Sequence, residues 1–257
     1  MTIRFLGTGT SYGVPLVGCD CAVCTSTDAR DKRLRASIFV ENGDTRILVD
    51  TTPDLRQQLL ASGVRSISTV LWTHAHNDHV IGLDDLRPIS DFGGYIPGYA
   101  REDTLAHLRN IFSYVFVEGR EHGGFPRVTP HVARANEAFQ IGSIQVTPLE
   151  ISHGRLTIFA YQFEADGKRF VYSTDCSQIP DESRETMRGC DLFVVDALRH
   201  RTHPTHFSVE QALEEVEKIA PQRTFFTHIA HDLAHAETEA MLPSNVRLAC
   251  DGLNLQL

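Results

Sequence analysis

The chain has 257 residues, 42% of them hydrophobic and 22% charged, with a formal net charge of -9. That is the composition of a soluble globular protein able to bury a full core without disulfide staples. The acidic balance and the lack of a Lys/Arg-rich block disfavour a polymeric nucleic acid as partner. No apolar run is long enough to span a bilayer, and Met1-Thr2-Ile3-Arg4-Phe5 does not open a leader peptide, so a cytoplasmic location is expected. No linker or low-complexity run divides the chain, and residues 1–257 read as one layered α/β domain.

Residues 3–6 read as a first strand running into Gly7-Thr8-Gly9-Thr10-Ser11-Tyr12-Gly13-Val14-Pro15. This stretch lacks the Gly-Lys-Ser/Thr ending of a phosphate cradle and reads as a tight loop that brings backbone near a site. Cys19, Cys21 and Cys24 follow as C-x-C-x-x-C, too close together for a disulfide framework. Three thiolates at this spacing can take three corners of a zinc tetrahedron, leaving one ligand to come from elsewhere; three reduced loop cysteines are the alternative. Residues 36–41 and 45–50 read as strands joined at Asn42-Gly43-Asp44, a hairpin signal. Residues 53–62 read as a helix with Thr52 as its cap. Asp50 either orients a metal-bound histidine from behind or caps the turn.

Ser68-Thr69-Val70-Leu71-Trp72 reads as a buried strand, and Thr73-His74-Ala75-His76-Asn77-Asp78-His79 follows directly. On an extended backbone His74 and His76 point to the same side, while Asp78 and His79 project from the start of a helix. That arrangement suits two adjacent metal ions better than one, because imidazole favours zinc and its neighbours and the carboxylate compensates further charge. Packing is a poor explanation, since burying such groups unpaired costs several kcal/mol.

Residues 80–92 read as a helix, whereas residues 93–131 carry the weakest pattern. Within them 101–112 can form a helix and 118–124 has loop composition. The segment reads either as an insertion shaping a substrate entrance, with Tyr114, Phe116, His122 and Phe125 as walls, or as peripheral packing. Residues 138–151 read as a hairpin around Gly142-Ser143, and 156–164 with 169–173 as another, so His153 and Asp175 fall at strand ends. Residues 192–196 form a further strand, 209–219 an amphipathic helix introduced by Ser208, and 224–226 a strand leading into Thr227-His228-Ile229-Ala230-His231. Residues 232–241 read as a helix and 246–255 as a final hairpin turning at Asp251-Gly252.

His74, His76, Asp78 and His79 match the H-x-H-x-D-H signature of the metallo-β-lactamase superfamily. His153, Asp175 and His228 match its later histidine, bridging aspartate and final histidine, so the chain resembles that superfamily over essentially its whole length. The resemblance implies an αββα sandwich of two mixed β-sheets flanked by helices, with the metals at one edge. It implies one divalent ion on His74, His76 and His153, another on Asp78, His79 and His228, and Asp175 bridging. Ions about 3.5–4 Å apart would make a bridging hydroxide available near neutral pH for in-line attack.

The cysteine cluster close behind a Gly-Thr-Gly loop, with T-H-x-x-H near the C-terminus, is similar to the phosphoribosyl cyclic phosphate phosphodiesterases of the carbon-phosphorus lyase pathway. By that resemblance His231 is the fourth ligand of a structural zinc on Cys19, Cys21 and Cys24, with His235 as its competitor. Thr205-His206-Phe207-Ser208 resembles the catalytic histidine segment of those enzymes and of the tRNA 3′-processing endonucleases. His206 and Asp78 are thus the implied catalytic residues, with His200 and His203 in the same loop as rivals of His206.

The implied activity is a dinuclear phosphodiesterase acting on a small cyclic ribose phosphate or nucleotide-like phosphodiester, with zinc or manganese in the active site. A thioester or lactone hydrolase is the main alternative, because the same ions polarise a carbonyl. An RNA-processing nuclease is disfavoured by the acidic balance. A non-catalytic helper, of the kind related to pyrroloquinoline quinone synthesis, is disfavoured by the intact set of seven ligands. A homodimer is compatible with the family.

Overall fold

The computed structural model describes residues 1–116 and 124–257. His122, one of the expected entrance-wall residues, lies outside them, as does most of the 118–124 loop. The first half contributes β1 (Thr2–Gly7), β2 (Ser37–Asn42), β3 (Thr45–Val49), α1 (Leu55–Ser62), β4 (Thr69–Leu71), α2 (Asn77–Val80), α3 (Arg87–Gly93), β5 (Ile96–Ala100), α4 (Glu102–Ile111) and β6 (Val128–Val132). The second half contributes β7 (Phe139–Ile141), β8 (Ile144–His153), β9 (Leu156–Ala165), β10 (Lys168–Ser173), α5 (Asp181–Met187), β11 (Leu192–Asp196), α6 (Val209–Ile219), β12 (Arg223–Thr227), α7 (His235–Met241), β13 (Val246–Leu248) and β14 (Asn254–Gln256).

Two seven-stranded mixed sheets result, ordered β14-β1-β2-β3-β4-β5-β6 and β13-β12-β11-β10-β9-β8-β7. Each is antiparallel on one side and parallel on the other, the change falling after β3 in the first and after β10 in the second. Alternation along the strands sets the layers. Ile47 and Val49 of β3 face the second sheet and meet residues such as Phe159, Phe163 and Phe170, whereas Leu48 faces outward. On the outer faces, Trp72 and Phe39 pack with Leu55, Leu83 and Leu105, and Phe193 and Phe226 pack with Met187, Val216 and Ile219. Strands covered on both sides read as continuous apolar runs, which is why β11 is buried throughout. The layers are those of the αββα sandwich, and among the described residues no helix is long and apolar enough to cross a membrane.

Three expected features differ, over residues 80–92, at the start of α1 and over residues 246–255. Residues 80–92 are not one helix but the end of α2, a 3-10 stretch over Ile81–Leu86, and α3. Thr51 interrupts the regular ladder, its N–H donating to the His79 carbonyl at 2.8 Å and its carbonyl accepting from Gly82 N–H at 3.0 Å. Thr52 does not occupy the cap position of α1; Asp54 does, while Thr52 Oγ1 accepts from Asp54 N–H at 3.1 Å and donates to Gln58 at 2.9 Å, shaping the preceding turn. Residues 93–131 supply β5, α4 and β6, extending the parallel half of the first sheet. Tyr114 donates to Asp84 at 2.9 Å, and Phe116 packs on the outer core.

The stretch 246–255 is not a hairpin, because β13 joins β12 in the second sheet and β14 joins β1 in the first. The crossing is held by Asp251, which accepts from Thr8 Oγ1 at 2.7 Å and Leu34 N–H at 2.6 Å.

Gly82 lies flat against the turn after β3, and a Cβ there would sit 1.9 Å from the Thr52 carbonyl oxygen. Gly82→Ala should therefore cost about 1–3 kcal/mol by overpacking. For a chain of this size that lowers Tm by roughly 2–4 °C per kcal/mol, read by thermal unfolding. An unchanged Tm would show that the backbone can yield at this point.

Candidate dinuclear metal site

The candidate residues collect where strands of both sheets end. Asp50 follows β3, His74 and His76 follow β4, His153 closes β8, Asp175 follows β10, Asp196 closes β11 and His228 follows β12. Asp50, Asp175 and His228 have φ of 65°, 54° and 58°. A left-handed backbone is uncommon outside glycine, although Asp and His tolerate it better than most residues. Its occurrence at three strand ends on one edge marks a place where the surrounding structure dictates the backbone.

Two donor clusters stand side by side. One ligand atom from each of His74, His76 and His153 lies within 4.8 Å of the others, and the same holds for Asp78, His79, Asp175 and His228. His79 Nε2 is 3.2 Å from Asp78 Oδ2 and 3.1 Å from Asp175 Oδ2, while His228 Nε2 is 3.2 Å from Asp175 Oδ1. Asp175 also groups with His153, which places it between the two clusters. His76 is exposed whereas His74, His79 and His228 are buried, so the site opens on the His76 side.

Hydrogen bonds select the tautomers. Asp50 Oδ2 accepts from His79 Nδ1 at 2.7 Å, and the Thr205 carbonyl accepts from His153 Nδ1 at 2.8 Å. Thr73 Oγ1 donates to Asp50 at 2.9 Å, so its lone pair faces His74 Nδ1 at 3.0 Å. In each ring Nδ1 carries the proton and Nε2 is left as a donor of electrons, the usual arrangement behind a metal-bound histidine.

These groups fit divalent ions. His79 Nε2 and both ring nitrogens of His228 are buried without a hydrogen-bond partner among the described residues. Unpaired buried polar atoms are costly, and a cation at the shared focus would satisfy the Nε2 atoms of His79 and His228, while His228 Nδ1 faces Asp196 Oδ1 at 3.7 Å. Ligands about 2.0–2.2 Å from one tetrahedral ion lie about 3.3–3.6 Å apart, close to the separations found here. Burial lowers His74 well below the usual imidazole range and His228 to about 3. Burial opposes ionisation of Asp175, but His228 and His79 outweigh it and keep the carboxylate charged.

His206 has a different environment from the seven clustered side chains. Its Nδ1 donates at 2.7 Å to Asp196 Oδ2, which also accepts from Cys176 N–H at 2.9 Å. The His206 ring stacks on His228 at 4.7 Å and lies 4.8 Å from His153. Burial raises Asp196 to about 7. Burial pulls His206 down, but Asp196 outweighs it and lifts the imidazole to about 9, so the shared proton belongs to the histidine. Asp196 was not singled out in the sequence. Its one sequence signal is an acid closing the apolar run Leu192-Phe193-Val194-Val195.

His231 Nδ1 is 3.4, 3.4 and 3.5 Å from the sulfurs of Cys19, Cys21 and Cys24. Around a tetrahedral ion with bonds of about 2.3 Å to sulfur and about 2.0–2.1 Å to nitrogen, that separation is about 3.5 Å. The N–H of Cys24, then His231, lower Cys21 to about 6, while burial raises Cys24 to about 11. His235 stands apart, accepting from Arg33 Nη2 at 2.9 Å through Nδ1 and lying 3.1 Å from Glu239 through Nε2.

A family model described as Beta-lactamase superfamily domain matches residues 45–229. A crystal structure of a diphosphatase from the PhnP family superposes with a TM-score of 0.91 and 42% identity over 100% of this chain and 97% of that one. An octanoyltransferase of Porphyromonas gingivalis is 38% identical over 256 residues, 98% of this chain but 51% of that protein, so the chain spans about half the length of this relative. The coenzyme PQQ synthesis protein B of Methylobacterium sp. (strain 4-46) is 30% identical over 217 residues, 76% of this chain and 72% of that protein. The chain therefore belongs to the metallo-β-lactamase superfamily and is closely related to the PhnP family.

Proposed function

We propose that the protein is a phosphodiesterase of small substrates, hydrolysing a cyclic ribose phosphate or a nucleotide-like phosphodiester. The observation that carries this reading is the position of His206, whose Nδ1 donates to buried Asp196 at 2.7 Å and whose ring stacks on His228 at 4.7 Å. An alkoxide leaving from phosphorus needs a proton, and a positioned acid supplies about 10²–10⁴-fold. A thiolate leaves near its ordinary pKa of about 8.5 without one, so a thioester hydrolase has less use for this acid.

His74, His76 and His153 would hold one divalent ion, and Asp78, His79 and His228 the other, with Asp175 between them. When bound, such a pair supplies an acidified water as nucleophile and offsets phosphoryl charge. Zinc and manganese both suit these nitrogen and oxygen donors. The chain's own contribution is positional. Asp50 locks His79 directly and His74 through Thr73, the Thr205 carbonyl locks His153, and Asp196 keeps the proton on His206.

A third ion, structural zinc, is assigned to Cys19, Cys21, Cys24 and His231 on their sulfur-rich donor set. The 42%-identical diphosphatase favours a second reading, cleavage of a diphosphate, in which the leaving phosphate needs no proton. The acyl chemistry named for the octanoyltransferase belongs to a protein about twice as long as the matching region.

With zinc or manganese loaded, the protein should turn over a cyclic ribose phosphate and a diaryl phosphodiester. Diphosphate or thioester turnover with inert phosphodiesters would refute the reading. His206→Ala should lower kcat by about 10²–10⁴-fold on alkyl leaving groups. The loss should be smaller for 4-nitrophenolate, with metal content unchanged by elemental analysis. Equal losses on both leaving groups would remove the general-acid role. Cys24→Ser should reduce bound metal from three ions per chain to two and lower Tm, measured together, whereas retention of all three ions would place the zinc elsewhere.

A further inference from the structure

His203 lies in the loop between β11 and α6 and is tied to the metal site through a single residue, Thr205. The Thr205 carbonyl accepts from His153 Nδ1 at 2.8 Å, fixing that ligand. The Thr205 N–H and Oγ1 face His203 Nδ1 at 3.4 and 3.2 Å. Thr205 is itself pressed onto the turn after β8, where Gly154 has φ +61° and a Cβ would sit 2.7 Å from Thr205 Cγ2. The loop is thus seated against that turn, and the orientation of His203 is tied to that of a metal-ligand histidine.

The hydrogen bonds also set its protonation pattern. Because Nδ1 accepts from a backbone N–H, neutral His203 must carry its proton on Nε2. Burial, then the charges of His206 and Arg199, lower its pKa, so the ring is neutral near pH 7. Its ring centroid is 5.1 Å from that of His206, and the side chain is part-exposed beside the site. No acceptor for Nε2–H occurs among the described residues. The result is a neutral N–H donor, held in one tautomer next to the catalytic acid, with its acceptor still to come.

We propose that His203 is a substrate-binding residue whose Nε2–H donates to a phosphoryl oxygen of the bound substrate. A phosphoryl group offers more lone pairs than two cations use, and a neutral donor adds a directed bond without placing another positive charge beside His206. His200, exposed in the same loop, has no such tether. The assignment rests on the phosphodiesterase reading for its natural ligand, but the phosphate site can be tested without turnover.

The test uses the metal-loaded protein, with inorganic phosphate binding measured by calorimetry and diaryl phosphodiester kinetics measured beside it. His203→Ala should weaken phosphate binding and raise KM, each about tenfold, the loss of one bond to a charged acceptor. kcat should stay within about twofold, and metal content should not change. His203→Gln, whose amide nitrogen can reach the Nε2 position, should recover most of the loss. Unchanged phosphate affinity in the alanine variant would overturn the proposal. So would loss of metal, since His203 would then be supporting Thr205 and His153 instead of touching substrate. If the wild-type protein turns over no phosphodiester, the phosphodiesterase reading falls while the calorimetry still decides the role of His203.

Discussion

The carboxylate of Asp50 is the constraint from which the site is built. It is fully buried and accepts from Thr73 N–H at 2.8 Å, Thr73 Oγ1 at 2.9 Å and His79 Nδ1 at 2.7 Å. One side chain on the end of β3 therefore holds the backbone after β4, fixes His79 and, through Thr73, faces His74. Removing such a group would leave three buried donors unsatisfied, each costing about 1–3 kcal/mol. Asp196 plays the matching part in the second sheet, at the end of β11, where it anchors His206 and Cys176 and comes within 3.7 Å of His228 Nδ1. Each sheet thus brings a buried acid behind the clustered histidines, Asp50 orienting His79 and Asp196 orienting His206.

This arrangement concentrates charge that the protein cannot neutralise by itself. Asp50, Asp78, Asp175 and Asp196 lie among histidines that burial holds neutral or that the carboxylates themselves hold protonated. Burial pulls His79 down, yet Asp175, Asp78 and Asp50 together raise it well above the ordinary imidazole range. Binding of dications that favour the folded chain then adds stability by mass action, so the site contributes to folding as well as to chemistry.

Much of this was legible from the sequence where the chemistry is local. The run from His74 to His79 is contiguous, and the strand before it is short and apolar, so the candidate ligands and the shared side of His74 and His76 can be read locally. Ser208 with Gln211 closes a capping box at the start of α6, also a local signal. What escaped detection is long-range. Pro97 and Gly98 break the pattern of β5, but Gly98 is there because a Cβ would meet the Trp72 ring at 2.5 Å. β13 and β14 look like a hairpin because Asp251-Gly252 has turn composition, whereas the turn serves to carry the chain from one sheet to the other. The role of Asp196 was invisible because its partner, His206, is ten residues away across a loop without periodic pattern. The tautomers of His153 and His203 depend on one carbonyl and one N–H of Thr205, which no sequence pattern encodes.

The loop after β12 joins the candidate dinuclear site to the cysteine cluster. His228 faces the dinuclear site and His231 the cysteines, with Ile229 between them held by Thr8 and Thr10 through bonds of 2.9 and 3.1 Å. His228 needs a left-handed backbone, φ 58°, to turn its ring inward. Such a conformation persists only when both sides of the residue are fixed. On one side β12 fixes it by pairing with β11; on the other, the link from His231 to Cys19, Cys21 and Cys24 does so. The cysteine cluster lies outside the catalytic residues but completes the frame that keeps His228 in its strained position.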